Sequence, residues 1–257
     1  GDDGVATLAA LNQPAGIVLD GTGNMLIADT NNRRIRRVAG AAVIQAPPGM
    51  VPVILVHGYA GSPDSFGALG QVLTEKGIQI GPPVDYSAWT PRKSAYPASV
   101  EELAGMFHEH LQRVLIDTNV LQVDVVAHSM GGLVARAYMS GLAVDSLGAG
   151  IAYGGEIRRL VTVGTPNYGT KASFGAGLTR GTQRGEMAVA SRFVLRLHDA
   201  WAAAIEARAV DESAVLAVAG IAGFGAEGDR VVLPSSAVLP RAFLAAPTAQ
   251  VRYLPLA

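Results

Sequence analysis

Residues 123–139 read VDVVAHSMGGLVARAYM. Val123 to Ala127 is mostly apolar and carries the mark of a buried strand, and Gly131 to Met139 reads as the helix that follows it. Ser129 falls on the corner between them. A serine on such a corner is held in a strained turn with its hydroxyl lifted above the sheet. Small residues two before it (Ala127) and two after it (Gly131) let neighbouring backbone pass close. The Met130 N–H, at the helix N-terminus, then faces the place where negative charge would develop on an attacked carbonyl. The plain alternative is an ordinary strand–turn–helix in which Ser129 is only an N-cap.

Strand and helix signals alternate on either side of this corner. VPVILVHG (51–58) is a continuous apolar run, as expected of a buried parallel strand. Ser62-Pro63 opens a helix and Gly77 closes it. Val84–Tyr86 reads as a short strand. Ser99-Val100-Glu101-Glu102 is a capping-box pattern opening a helix with an apolar stripe at Leu103, Phe107, Leu111 and Val114. RRLVTVGT (158–165) is another buried strand. A helix is expected over Met187–Ala207 from the spacing of Ala190, Val194, Leu197, Trp201 and Ile205. AVLAVAG (214–220) and QVRYLPLA (250–257) supply two further strands. Such alternation predicts an α/β class, a mostly parallel, doubly wound sheet flanked by helices.

The 257 residues are 49% hydrophobic and 16% charged, enough apolar material for a sizeable core. A net charge of −1 argues against a nucleic-acid partner or a polybasic membrane patch. No apolar run is long enough for a transmembrane segment. The chain has no cysteine, which excludes disulfides and thiolate metal sites. No cofactor is expected. His108 and His110 are two apart on a predicted helix and face different ways, so they make a poor metal pair.

The first 45 residues differ from the rest. PAGIVLDGTGNMLIADTNNRRIRRV (14–38) holds three short strand-like runs, Gly16–Asp20, Met25–Asp29 and Arg34–Val38, separated by the turn sequences DGTGN and DTNN. APPGMVP (46–52) then reads as a stiff linker. The division expected is 1–45 for the small β region and 46–257 for the α/β domain. Through Pro14, Gly16, Asp20, Gly23, Asn24, Ala28-Asp29 and Arg34-Ile35, the first region resembles one NHL repeat, part of a β-propeller blade. One repeat cannot bury its own faces, so the resemblance implies further blades before Gly1. It also implies a secreted or cell-surface bacterial protein whose propeller contacts a protein or glycan partner.

The corner at Ser129 resembles the nucleophile elbow of the α/β-hydrolase fold, the lipases and esterases in particular. Ala127 stands where the G-x-S-x-G pattern has its first glycine. His57-Gly58-Tyr59-Ala60-Gly61 resembles the oxyanion loop of that family, and the likeness implies that the Tyr59 and Met130 N–H groups form the oxyanion hole, with His57 structural. VTVGTPNYGT (161–170) resembles the stretch that walls the acyl pocket, and Tyr168–Ala207 is long enough for a lid, or for a simple covering helix. The family order places the acid after the strand AVLAVAG. There, in GAEGDRVVLPSSA (225–237), Asp229 matches the lipase Asp-Gly-Val-Val pattern, with Arg230 in place of the glycine. Glu227 is the fallback.

The resemblance also implies a histidine after the last strand. The five histidines are His57, His108, His110, His128 and His198, and none follows Asp229. The expectation is therefore a chain cut short of its general base, nearly inactive as it stands. His198 is the in-chain rival, out of the family order. The implied activity is carboxylic ester hydrolysis of a small-molecule or lipid ester through an acyl-enzyme on Ser129. The alternatives are a non-catalytic hydrolase-like binding module attached to a propeller, and an acyltransferase or amidase on the same fold.

Overall fold

The computed structural model describes residues 10–19, 25–38, 51–89, 97–171, 183–221, 236 and 251–255. The chain divides into two units, Gly1–Ala46 and Pro47–Ala257.

The first unit is an antiparallel meander of β1 (Pro14–Leu19), β2 (Met25–Asp29) and β3 (Arg34–Val38). A register shift between Pro14 and Gly16 bends β1. Its fixed point is the buried Asp29. That carboxylate accepts from the Asn12 N–H (2.7 Å), Asn32 Nδ2 (2.8 Å) and Arg36 Nε (3.1 Å). The Asn12 N–H, more than the others, holds the Asp29 carboxyl below the usual range. One aspartate thus ties the start of the meander to both ends of the β2–β3 turn.

The second unit is built on a five-stranded parallel sheet in the order β4 (Val53–Val56), β5 (Val123–His128), β6 (Ile157–Val163), β7 (Val215–Ile221), β8 (Val251–Pro255). All four pairings are parallel. Every residue of β4 is buried because both of its faces are covered. Ile54 and Val56 join the large core, while Val53 and Leu55 pack with Phe66 and Leu73 on the other side. This is why β4 has no alternation in its sequence. Leu73 comes from α1 (Gly67–Glu75), which a 3-10 turn at Pro63–Phe66 introduces. Gly77, at φ +73, turns the chain out of it.

Ile80 and Val84 bridge Val53 and Val56 on the edge of β4 away from β5. The Val84–Tyr86 strand of the sequence reading is therefore a single bridge at Val84. The chain then crosses to the inner side through α2 (Val100–Thr118) and enters β5. The five strands therefore lie side by side in chain order, with Ile80 and Val84 bridging the outer edge of β4. The helices α2, α3 (Met130–Met139) and α5 (Arg192–Glu206) cover the large core. Leu103, Phe107, Leu111 and Val114 of α2 are all buried, as their stripe predicts. α5 starts later than expected. Ala190 is exposed and at φ +56, so it cannot continue a helix, and Ser191 caps the new one by accepting from the Val194 N–H at 3.1 Å. A short α4 (Gln183–Glu186) precedes that turn.

Candidate active site

Ser129 sits between β5 and α3 at φ 53 and ψ −124. A serine in this region of backbone space stores strain that the surrounding structure must impose. Two bonds impose it. The Ser129 N–H donates to the Val163 carbonyl of β6 (2.9 Å), and the Gly132 N–H donates to the Ser129 carbonyl (3.1 Å). On the strand side, Ala127 is fully buried and pairs with Val56 and Thr162 at once.

The corner has no room for side chains on its glycines. A Cβ on Gly131 would lie 2.5 Å from the Val56 carbonyl oxygen and 2.6 Å from that of His57. One on Gly58 would lie 2.8 Å from Ser129 Cβ. The first turn of α3 thus rests directly on the end of β4, and the loop after β4 reaches Ser129 because Gly58 and Gly131 carry no side chain.

That loop is braced from below by His57. Its ring is fully buried; Nδ1 donates to the Gly58 carbonyl at 3.0 Å, and Nε2 accepts from the Tyr86 N–H at 3.4 Å. The Tyr86 hydroxyl donates to the His57 carbonyl and the two rings are 4.1 Å apart. Burial pushes the Tyr86 phenol up, so it stays a donor. A turn closed by the Gly61 N–H on the Gly58 carbonyl (3.1 Å), with Ala60 at φ +56, leaves Tyr59 at its tip. Among the described residues the Tyr59 and Met130 N–H groups have no hydrogen-bond acceptor.

The other sequence-picked residues fall as follows. Asp229 and Glu227 lie outside the described residues. Ser236, seven positions after Asp229, is described and buried. Its carbonyl accepts from the Asn167 N–H (2.7 Å); its Oγ accepts from the Tyr168 N–H (3.2 Å) and donates to the Gly169 carbonyl (2.6 Å). His108 Nδ1 pairs with the Tyr138 hydroxyl (2.9 Å) and His110 Nε2 with the Pro82 carbonyl (2.7 Å), so the two point apart. His198 Nε2 donates to the Asn167 carbonyl at 2.6 Å, with its ring 4.7 Å from that of Tyr168. Burial foremost, then the nearby Arg136 charge, holds the His198 imidazole below its usual range. Among the described residues no histidine nitrogen bonds Ser129 Oγ. No group of three or more His, Cys, Asp or Glu among them is placed to hold a metal. No helix among them is long and apolar enough to cross a membrane.

Sequence reasoning passed over Arg136 and Asn167. Arg136 is fully buried in α3, where all ten residues are buried. A lone cation inside an otherwise apolar helix was the available signal. Separately, a cavity of about 620 Å³ opens between α2 and the Val144–Ser146 turn, lined by Asp85, Trp89, Met106 and His110 among others, and Ser129 does not line it.

A parallel sheet with a strained serine at the carboxyl end of β5, followed directly by a helix, is the framework of an α/β-hydrolase fold. Residues 48–184 match the PGAP1-like alpha/beta domain, and the chain belongs to that family. Among solved structures, it is similar to the lipase BlEst2 of Bacillus licheniformis in mature form, with a TM-score of 0.58 at 16% identity over 84% of this chain and 87% of that one. It is also similar to the phospholipase PlaB of Legionella pneumophila, with a TM-score of 0.53 at 18% identity over 73% of this chain. The match covers 45% of PlaB, so the chain spans less than half of that protein.

Proposed function

We propose that the chain is a serine hydrolase of carboxylic esters, of the lipase or esterase kind. The observation that carries this is Ser129 itself: a non-glycine residue at φ 53 and ψ −124, at the carboxyl end of β5. Strain of that kind is kept where it serves a site. In this reading Ser129 Oγ attacks the ester carbonyl. The carbonyl oxygen gathers charge and is held by the Tyr59 and Met130 N–H groups, a contribution of roughly 3 kcal/mol per donor in comparable sites. The alcohol departs with a proton and leaves an acyl-serine, which water hydrolyses. Asp229 is the acid that orients the base. The names of BlEst2, a lipase, and PlaB, a phospholipase, favour a lipid ester over an amide.

The base is the open position of the triad. Each imidazole bond described above is made elsewhere than to Ser129. That same observation favours the second reading, a hydrolase-like binding module without catalysis. Incubation with a fluorophosphonate and a nitrophenyl ester series separates the two. The hydrolase reading expects an adduct on Ser129 by mass spectrometry, and ester turnover that Ser129→Ala abolishes. No adduct and no Ser129-dependent turnover would leave the binding module. For the first unit, the Asp29 network at the Ala28-Asp29 position supports reading the meander as one NHL-type repeat.

A further inference from the structure

Arg136 is a fully buried cation whose surroundings offer it little. Its Nη1 donates to Asn167 Oδ1 at 2.8 Å, and its guanidinium carbon lies 4.7 Å from the Trp201 ring centroid. Its Nε and Nη2 have no hydrogen-bond partner. Burial pushes the guanidinium down to about 9, which still leaves it charged at neutral pH. Asn167 Oδ1 is thus the one hydrogen-bond acceptor described for this cation.

Asn167, also fully buried, is bonded on every side. Its side chain takes Arg136 of α3. Its carbonyl takes His198 of α5. Its N–H donates to the carbonyls of Thr165 (2.8 Å) and Ser236 (2.7 Å). The loop that carries it already touches α3 one turn earlier, since a Cβ on Gly132 would lie 2.0 Å from Thr165 Oγ1. The same loop begins directly after Val163, the residue that anchors the Ser129 N–H.

We propose that Asn167 is a positioning residue that locks the nucleophile helix α3 to the loop after β6 and, through it, to Ser236. The proposal rests on the hydrolase reading, because it assigns the lock a part in catalysis. Ser129 and the Met130 N–H move with α3, while the loop after β6 and Ser236 lie on the other side of the lock. The bond between Arg136 and Asn167 fixes one against the other. A shift of about 1 Å between catalytic groups costs up to about 100-fold in rate. An aspartate at 167 keeps the acceptor oxygen and adds a charge that suits Arg136; an alanine keeps neither.

The test uses the whole protein and the variants Asn167→Ala, Asn167→Asp and Arg136→Met. For a nitrophenyl ester whose turnover depends on Ser129, Asn167→Ala is expected to lower kcat by about 10- to 100-fold with KM within about twofold of wild type, and Asn167→Asp to restore most of it. Amide hydrogen exchange at Tyr168, Gly169 and Thr170 is expected to quicken in Asn167→Ala and Arg136→Met, with β5 and β6 as protected as before. Wild-type kcat in Asn167→Ala, no recovery in Asn167→Asp, or faster exchange spread evenly over the sheet would overturn the proposal. Absence of both a fluorophosphonate adduct on Ser129 and any Ser129-dependent turnover in the wild type would sink the hydrolase reading by itself. The exchange measurement then decides the lock, and unchanged exchange at 168–170 in both variants overturns it.

Discussion

The corner after β5 and the loop after β6 lie side by side but are held in place by opposite means. At the corner, shape does the holding. Gly58 and Gly131 present bare backbone, β4 and α3 close on each other, and Ser129 is forced into its strained conformation. In the loop, polar bonds do it. Asn167 collects Arg136, His198 and Ser236 in a place where water does not reach. A shape constraint fails when something is added, and a hydrogen-bonded one fails when something is removed. The two therefore predict different responses to substitution.

The largest effect is expected from adding bulk to the corner. Gly131→Val would drive a Cβ against two backbone carbonyls at 2.5 and 2.6 Å, and backbone at the end of β4, a strand buried on both faces, cannot step aside. A loss of about 3–5 kcal/mol in urea unfolding is expected, large for one substitution. A stable Gly131→Val protein with native exchange in β4 would show the corner to be looser than its contacts imply. The loop responds less. Asn167→Ala strands the buried Arg136 and is expected to cost about 2–4 kcal/mol, which Asn167→Asp should recover. Equal losses in the two variants would mean that shape, rather than the Arg136 bond, holds the loop as well.

The same contrast explains what could be read from the sequence. The corner was legible because its rule is local: Ala127, Ser129 and Gly131 sit two apart, and their spacing alone encodes a tight strand-to-helix turn. The capping box of α2 was legible for the same reason, as Ser99 and Glu102 are three apart. β4 declared itself as an unbroken apolar run because both of its faces are covered. The lock at Asn167 was not legible. Its partners Arg136 and His198 are each 31 residues away, and nothing near residue 167 specifies them. The start of α5 was misplaced for a local reason overlooked in favour of spacing. Ala190 fits the apolar period, but Ser191 is the cap, and a cap outranks periodicity at a helix end. The placement of Asp229 lies outside the described residues.

The N-terminus of α2 combines both modes and gives the smaller effects. Gln183 of α4 is buried and its Nε2 donates to the carbonyls of Trp89 (3.0 Å) and Ala98 (2.9 Å). One turn on, Glu186 accepts from the Val100 N–H at 2.9 Å. Burial, and then the neighbouring Glu101 and Glu102 charges, push the Glu186 carboxyl up to about 7, against the pull of that N–H. A carboxyl raised in the folded state binds its proton more tightly there than in the unfolded chain. Its contribution to stability is complete below pH 4.5 and is lost as the pH rises through about 7. Glu186→Gln keeps an acceptor for Val100 and removes the titration. It is expected to gain about 1–2 kcal/mol at pH 7.5 and little at pH 4.5. A pH-stability curve parallel to wild type between those values would mean that Glu186 is ionised throughout, with the helix N-terminus outweighing burial.

Ser99→Ala is expected to give the smallest change. Ser99 Oγ accepts from the Glu102 N–H (3.1 Å), and Glu102 Oε2 accepts from the Ser99 N–H (2.7 Å). Removing the hydroxyl frees one amide, and the reciprocal bond through the Ser99 backbone can persist. The Val100 N–H keeps Glu186 in any case, so the first turn retains two of its three bonded donors. A cost of about 0.5–1 kcal/mol follows, toward the low end for an N-cap. In the double variant Ser99→Ala, Glu186→Ala both supports go, and the loss should exceed the sum of the two single losses. Additive losses would mean that the cap and Glu186 hold α2 independently, and that the segment from α4 is a cover on the helix rather than part of its end.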